Sequence, residues 1–204
     1  MVSSYSDAVS GHPETGQTPT RARIANLANV LTLLRLLLVP IFLMALFYAD
    51  GHHTSARVVA WAIFAVACIT DRFDGQLARN YGMATEFGAF VDPVADKTLI
   101  GSALIGLSML GELPWWVTVV IMVRELGVTV LRLAVIRRGV IPASWGGKLK
   151  TFVQAVAIGL FVLPLSGVLH TAAVVVMGIA IVLTIVTGID YVASTLRGIR
   201  QSTG

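Results

Sequence analysis

DRFDGQLARNYGMATEFGAFVDPVADK, residues 71–97, decides how the chain is read. Four aspartates stand in it, Asp71, Asp74, Asp92 and Asp96, between the apolar runs VVAWAIFAVACIT and TLIGSALIGLSML. Carboxylates so close to lipid-grade sequence are costly to keep, and ionisable groups in such places mark function. Asp71 and Asp74 are three apart and Asp92 and Asp96 four apart, so each pair lines one face of a helix. Four ionised carboxylates packed together repel and are driven to protonate unless a cation shares the space. An all-oxygen donor set suits Mg²⁺, Mn²⁺ or Ca²⁺ and not thiolate-seeking metals, so the string predicts a divalent-metal site. A lone D-x-x-D at a helix end is more often a solvated cap. The run of D-x-x-D-G and A-R, then Gly88 and two more aspartates at intervals of four, sets this one apart.

Composition points the same way. Hydrophobic residues make up 56% of 204 positions and charged ones 13%, which is membrane composition. The net charge of +4 says little by its size; its distribution says more. Cys68 is the single cysteine, so intrachain disulfides and cysteine metal cages are excluded, and its place in an apolar run predicts an inert core residue. Residues 1–20, rich in Ser, Thr, Gly and Pro, predict a disordered tail. They lack the basic start and apolar centre of a cleavable signal, so the first hydrophobic span is expected to direct insertion.

The pattern predicts an all-α, polytopic membrane protein with six transmembrane helices and a short N-terminal juxtamembrane amphipathic helix. TRARIANLAN, with Arg21 and Arg23 ahead of Ile24 and Leu27, suits a helix lying at the membrane surface. The spans follow at about Val30–Tyr48, with Pro40 placed to kink it, Ala56–Thr70, Pro93–Leu110, Trp115–Ile136, Thr151–Leu165 and Thr171–Tyr191. DGQLARNYGMATEFG, with Gly75, Gly82 and Gly88, reads as a turn or broken helix, GELP as a tight turn, and Trp115 and Trp116 as interface anchors. One membrane domain is expected over residues 21–196 and a polar tail over 197–204, with no repeat.

Six spans put both termini on one side. Arg21, Arg23, Arg72, Arg79, Arg137, Arg138, Lys148, Lys150, Arg197 and Arg200 fall there, against Arg57 alone opposite. By the positive-inside rule the termini and the acidic cluster face the cytoplasm.

At this point the chain resembles a known family. D-x-x-D-G-x-x-A-R, eight residues, then G-x-x-x-D-x-x-x-D is the signature of the CDP-alcohol phosphotransferases. Asp71, Asp74, Gly75, Ala78, Arg79, Gly88, Asp92 and Asp96 meet every fixed position. The resemblance implies an integral enzyme of the bacterial cytoplasmic membrane that moves a phosphoalcohol group from a CDP-activated donor to a hydroxyl acceptor, releasing CMP. It implies Asp71, Asp74 and Asp92 as ligands of Mg²⁺ or Mn²⁺, two ions in all, with Asp96 as general base and sharer of a metal. Gly75 and Gly88 then admit the nucleotide close to the backbone, beside Ala78, and Arg79 pairs with the donor phosphates. The alternatives are helix-packing glycines and an ordinary positive-inside anchor at Arg79.

Acceptor choice falls to other residues. Arg124, Glu125 and Arg132 lie within the fourth span, the two arginines near one face, and charges so placed seldom meet lipid. With Lys148 and Lys150 of GKLK, Arg124 and Arg132 are candidates for a pocket binding an acceptor's phosphate; the alternative is an Arg124 bridge to an acid that joins helices. Arg35 and Asp190 are open to either reading. NLANVLTLLRLLLVP, FVDPVADK, VRELGVTVLR and SWGGKLKT look like the phosphatidylglycerophosphate synthases within the family, departing from many of them at Ala28 and Arg72. That likeness implies CDP-diacylglycerol and sn-glycerol 3-phosphate as substrates, a homodimer among membrane lipids, and no nucleic-acid partner. Inositol phosphate and phosphatidylglycerol stay open as acceptors. A cation or proton transporter is the competing class, against which stands the bunching of the acids at one edge.

Overall fold

The computed structural model describes the backbone of residues 19–81, 86–136 and 146–202, and the side chains of residues 30, 33–70, 97–131 and 149–197 within them. Among the described residues there are six α-helices and no strand: α1 (Pro19–Phe47), α2 (Thr54–Tyr81), α3 (Glu86–Met109), α4 (Trp115–Ile136), α5 (Gly146–Val162) and α6 (Gly167–Ser202). The expected tail lies outside them as far as residue 18, and the link at 137–145 lies outside them too.

Three boundaries differ from expectation. The surface helix and the first span form one continuous α1, with Pro40 inside it. The glycine-bearing segment is no break at its start: α2 runs through Gly75 and Ala78 to Tyr81, and α3 begins at Glu86, ahead of Pro93. A mid-helix glycine costs only about 1 kcal/mol, and Leu77, Ala78 and Arg79 are strong helix formers. At the other end, α6 continues through Arg197 to Ser202.

The described turns are tight for stated reasons. Between α1 and α2 a 3₁₀ turn, Tyr48–Gly51, takes three consecutive residues to positive φ: Ala49 at 51°, Asp50 at 54° and Gly51 at 74°. At φ 74° any side chain on Gly51 would be strained, and a Cβ there would lie 2.8 Å from Leu110 Cδ1, which would have to shift. GELP closes α3 in a Schellman motif, with Glu112 N–H donating to Leu107 O at 3.0 Å and Gly111 N–H to Ser108 O at 3.1 Å. Gly111 takes φ 75°, and Pro114 stops the helix from resuming before Trp115.

α1 packs against α2 and α3, α5 and α6 form a hairpin, α4 lies on α6, and α5 touches α2 and α3. Phe42, Leu46, Phe64, Leu104, Leu107, Ile121, Ile158 and Val162 fill the centre, and Cys68 packs half-buried against it. Large apolar side chains cover the outside as well, among them Leu37, Met44, Val130, Val168 and Ile189, and Trp115 and Trp116 are exposed at the start of α4. An apolar exterior of this extent fits a lipid solvent. The segments Leu33–Gly51 and Gly167–Arg197 are long and apolar enough to cross a membrane.

In lipid, helices gain little from leaving their solvent, so close packing and interhelical hydrogen bonds hold them, each bond giving about 0.6 kcal/mol. Ser108 and Thr118 hydroxyls meet at 2.7 Å between α3 and α4, and Thr118 also donates to Leu104 O at 3.2 Å. Arg57 makes the strongest tie. It is buried at 2% exposure, donating from Nε to Val162 O at 2.7 Å and from Nη2 to Phe161 O at 2.7 Å. Its Nη1 reaches Gly51 O at 3.2 Å and Glu112 Oε1 at 2.9 Å. The guanidinium thus supplies donors to α5's last carbonyls, which have no partner within the helix, while clamping two turns. Arg57, expected from the sequence to lie in an outer loop, is an interior clamp in the first turn of α2.

Candidate active site

The two aspartate pairs lie on consecutive helices at matching depth. Asp71 and Asp74 are in the last three turns of α2, and Asp92 and Asp96 in the first three of α3. Asp74 stands about seven residues before α2 ends and Asp92 about six after α3 begins, which at 1.5 Å per residue puts both roughly 10 Å in from the ends that residues 82–85 join. Gly75, Ala78 and Arg79 share that portion of α2, and Gly88 is in the first turn of α3. The side chains of all eight lie outside the described residues, as do those of Arg132 and Lys148. Among the described side chains no three His, Cys, Asp or Glu converge to hold a metal. The donor chemistry of the aspartate string fits a hard divalent ion: oxygen ligands only, paired at helical spacing on two connected helices.

Directly after Asp96 the described side chains resume with Lys97, which opens a second constellation. Glu125, 4% exposed on α4, receives Lys97 of α3 on Oε2 and Lys150 of α5 on Oε1. Arg124 Nη1 donates to the same Oε1 at 3.2 Å, and its Nη2 to Thr187 Oγ1 on α6 at 2.9 Å. Thr187 passes its own proton to Leu183 O at 2.6 Å, so its hydroxyl is used both ways. Arg124 packs closely along α6 at Gly188, where a Cβ would come within 3.1 Å of Arg124 Cγ. Four helices meet on one carboxylate and the three cations around it. Charges this deep are kept only where they are paired and put to use.

Of the residues expected to receive an acceptor phosphate, Arg124 and Lys150 are brought together, Lys150 at 2% exposure. The acid bridge that Arg124 makes is to its neighbour Glu125, and its link to another helix is the Thr187 hydroxyl. Lys97 was not singled out from the sequence, although it adjoins Asp96; nor was the joining role of Glu125, legible only as an acid inside an apolar span. Arg35 is buried and Asp190 is exposed on α6.

An all-helical chain with this aspartate string across two connected helices falls into a defined class. The chain belongs to the CDP-alcohol phosphatidyltransferase family, whose model matches residues 25–186. Within it, the chain is 82% identical over 201 residues to the "Probable phosphatidylglycerophosphate synthase" of Mycobacterium tuberculosis (strain ATCC 25618 / H37Rv), covering 97% of this chain and 96% of that one. It is 34% identical over 190 residues to the CDP-diacylglycerol--glycerol-3-phosphate 3-phosphatidyltransferase of Bacillus subtilis (strain 168), covering 87% of this chain and 98% of the relative. The protein of that name from Rickettsia felis is 38% identical over 172 residues, 81% of this chain and 93% of its own.

Proposed function

We propose that the chain transfers the phosphatidyl group of CDP-diacylglycerol to sn-glycerol 3-phosphate, giving phosphatidylglycerophosphate and CMP. The observation that carries the choice of acceptor is the cation cluster of Lys97, Arg124 and Lys150, which begins one residue after the last motif aspartate. The names of its relatives support the same acceptor.

Asp71, Asp74, Asp92 and Asp96 are the residues that would hold Mg²⁺ or Mn²⁺, two ions in all. Bound there, the metal supplies neutralisation of the donor's diphosphate and of the departing charge. The chain's own residues do the rest. Gly75, Ala78 and Gly88 present small surfaces along which the cytidine nucleotide approaches the helices, and Arg79 forks onto the donor phosphates. Asp96 accepts the proton of the attacking acceptor hydroxyl, whose oxygen bonds to the diacylglycerol-bearing phosphorus as the phosphorus–oxygen bond to CMP breaks. Arg124, Arg132, Lys148 and Lys150 receive the phosphate that the acceptor carries. Six spans, cytoplasmic termini and active site, and a homodimer in the bacterial cytoplasmic membrane complete the reading.

Purified protein given labelled glycerol phosphate, CDP-diacylglycerol and Mg²⁺ should yield lipid-soluble label and one CMP for each transfer. No lipid label at any metal concentration overturns the reading. Label appearing only with inositol phosphate or phosphatidylglycerol as acceptor keeps the chemistry and changes the substrate.

A further inference from the structure

We propose that Glu125 is a positioning residue that gathers Lys97, Arg124 and Lys150 into one anion cradle and so sets the affinity for the acceptor's phosphate without touching substrate. The inference rests on the phosphate-acceptor reading and adds to it a residue, Lys97, and a device. Both Glu125 oxygens are engaged, Oε1 by Lys150 and Arg124 and Oε2 by Lys97, so the carboxylate is saturated by cations from three helices. It is buried at 4% exposure, where three like charges without a shared counter-ion would repel and splay.

Glu125 does not use up what it holds. An ammonium has three N–H donors, and Lys150 spends one on Glu125. Arg124 Nε, buried beside Gly188 of α6, has no hydrogen-bond partner among the described residues. A phosphate monoester, with two charges and several acceptor oxygens, is the ligand whose chemistry fits such donors. Lys97 also fastens the cradle to α3, one residue from Asp96.

The test compares Glu125→Gln, which keeps the shape and removes the charge, with Glu125→Asp, which keeps the charge and shortens the reach. In Glu125→Gln the KM for glycerol phosphate should rise about tenfold or more, with kcat and the KM for CDP-diacylglycerol within about threefold of wild type, the tenfold step being the loss of one charge-assisted contact. Glu125→Asp should fall between, and Lys97→Ala should share the selective rise in KM. Equal changes in both KM values, or a fall in kcat with the glycerol phosphate KM unmoved, overturn the proposal. If Glu125→Gln does not fold, the Glu125→Asp values decide by the same criteria. If wild type transfers nothing to glycerol phosphate, the functional reading has failed. The cradle is then judged by inorganic phosphate, which should raise the thermal midpoint of wild type by more than that of Glu125→Asp; equal shifts or none overturn it.

Discussion

A carboxylate changed to its amide loses a charge and little volume, which makes Asp92→Asn and Asp96→Asn the cleanest probes of the motif. Turnover should fall to background in Asp92→Asn and by roughly 10²–10⁴-fold in Asp96→Asn, the usual contribution of a general base. Expression and the thermal midpoint should hold, because removing one of several crowded acids relieves repulsion. Arg124→Ala should raise the KM for glycerol phosphate about tenfold while leaving that for CDP-diacylglycerol alone; equal effects on both would make Arg124 a helix tie through Thr187 and nothing more. At this scale the motif aspartates were legible because their spacing is local. Glu125 was not, since its partners Lys97 and Lys150 lie 28 and 25 residues away and only folding brings them together.

Elements were legible where apolar runs end in strong punctuation, as at GELP, and illegible where polarity resembled a break. Glycines and polar residues around Gly75 suggested a turn, yet α2 continues through them, so Asp71 and Asp74 stand on a rigid helix and hold a fixed spacing. Likewise α1 carries its amphipathic start and its apolar span without interruption from Pro19 to Phe47. Connections between elements were the hardest to foresee: Arg57 binds carbonyls of Phe161 and Val162 more than a hundred residues on. Arg57→Ala should therefore cost about 3 kcal/mol, from several charge-assisted hydrogen bonds lost at once. It should lower the thermal midpoint in detergent without changing the KM for glycerol phosphate, since the clamp sits at the end of the bundle away from the aspartates. An unchanged midpoint would contradict that account.

For the whole molecule, chelation of divalent ions should abolish turnover, and Mg²⁺ or Mn²⁺ added back should restore it; activity that survives chelation contradicts the proposed donor role of the aspartates. With Cys68→Ser as background, Ser55→Cys should react with a membrane-impermeant maleimide on intact cells, and Ser202→Cys only after lysis. The reverse pattern would invert the proposed topology. The asymmetry of basic residues gave that expectation directly, whereas the sequence had no way to show that the lone exception is neutralised by Glu112. In the proposed orientation, that pairing bears on biogenesis. Hauling an unmatched cation outward against an inside-negative voltage takes about 2.3 kcal/mol per 100 mV. Arg57 and Glu112 carry opposite charges, so in that orientation placing the two outside takes no net electrical work.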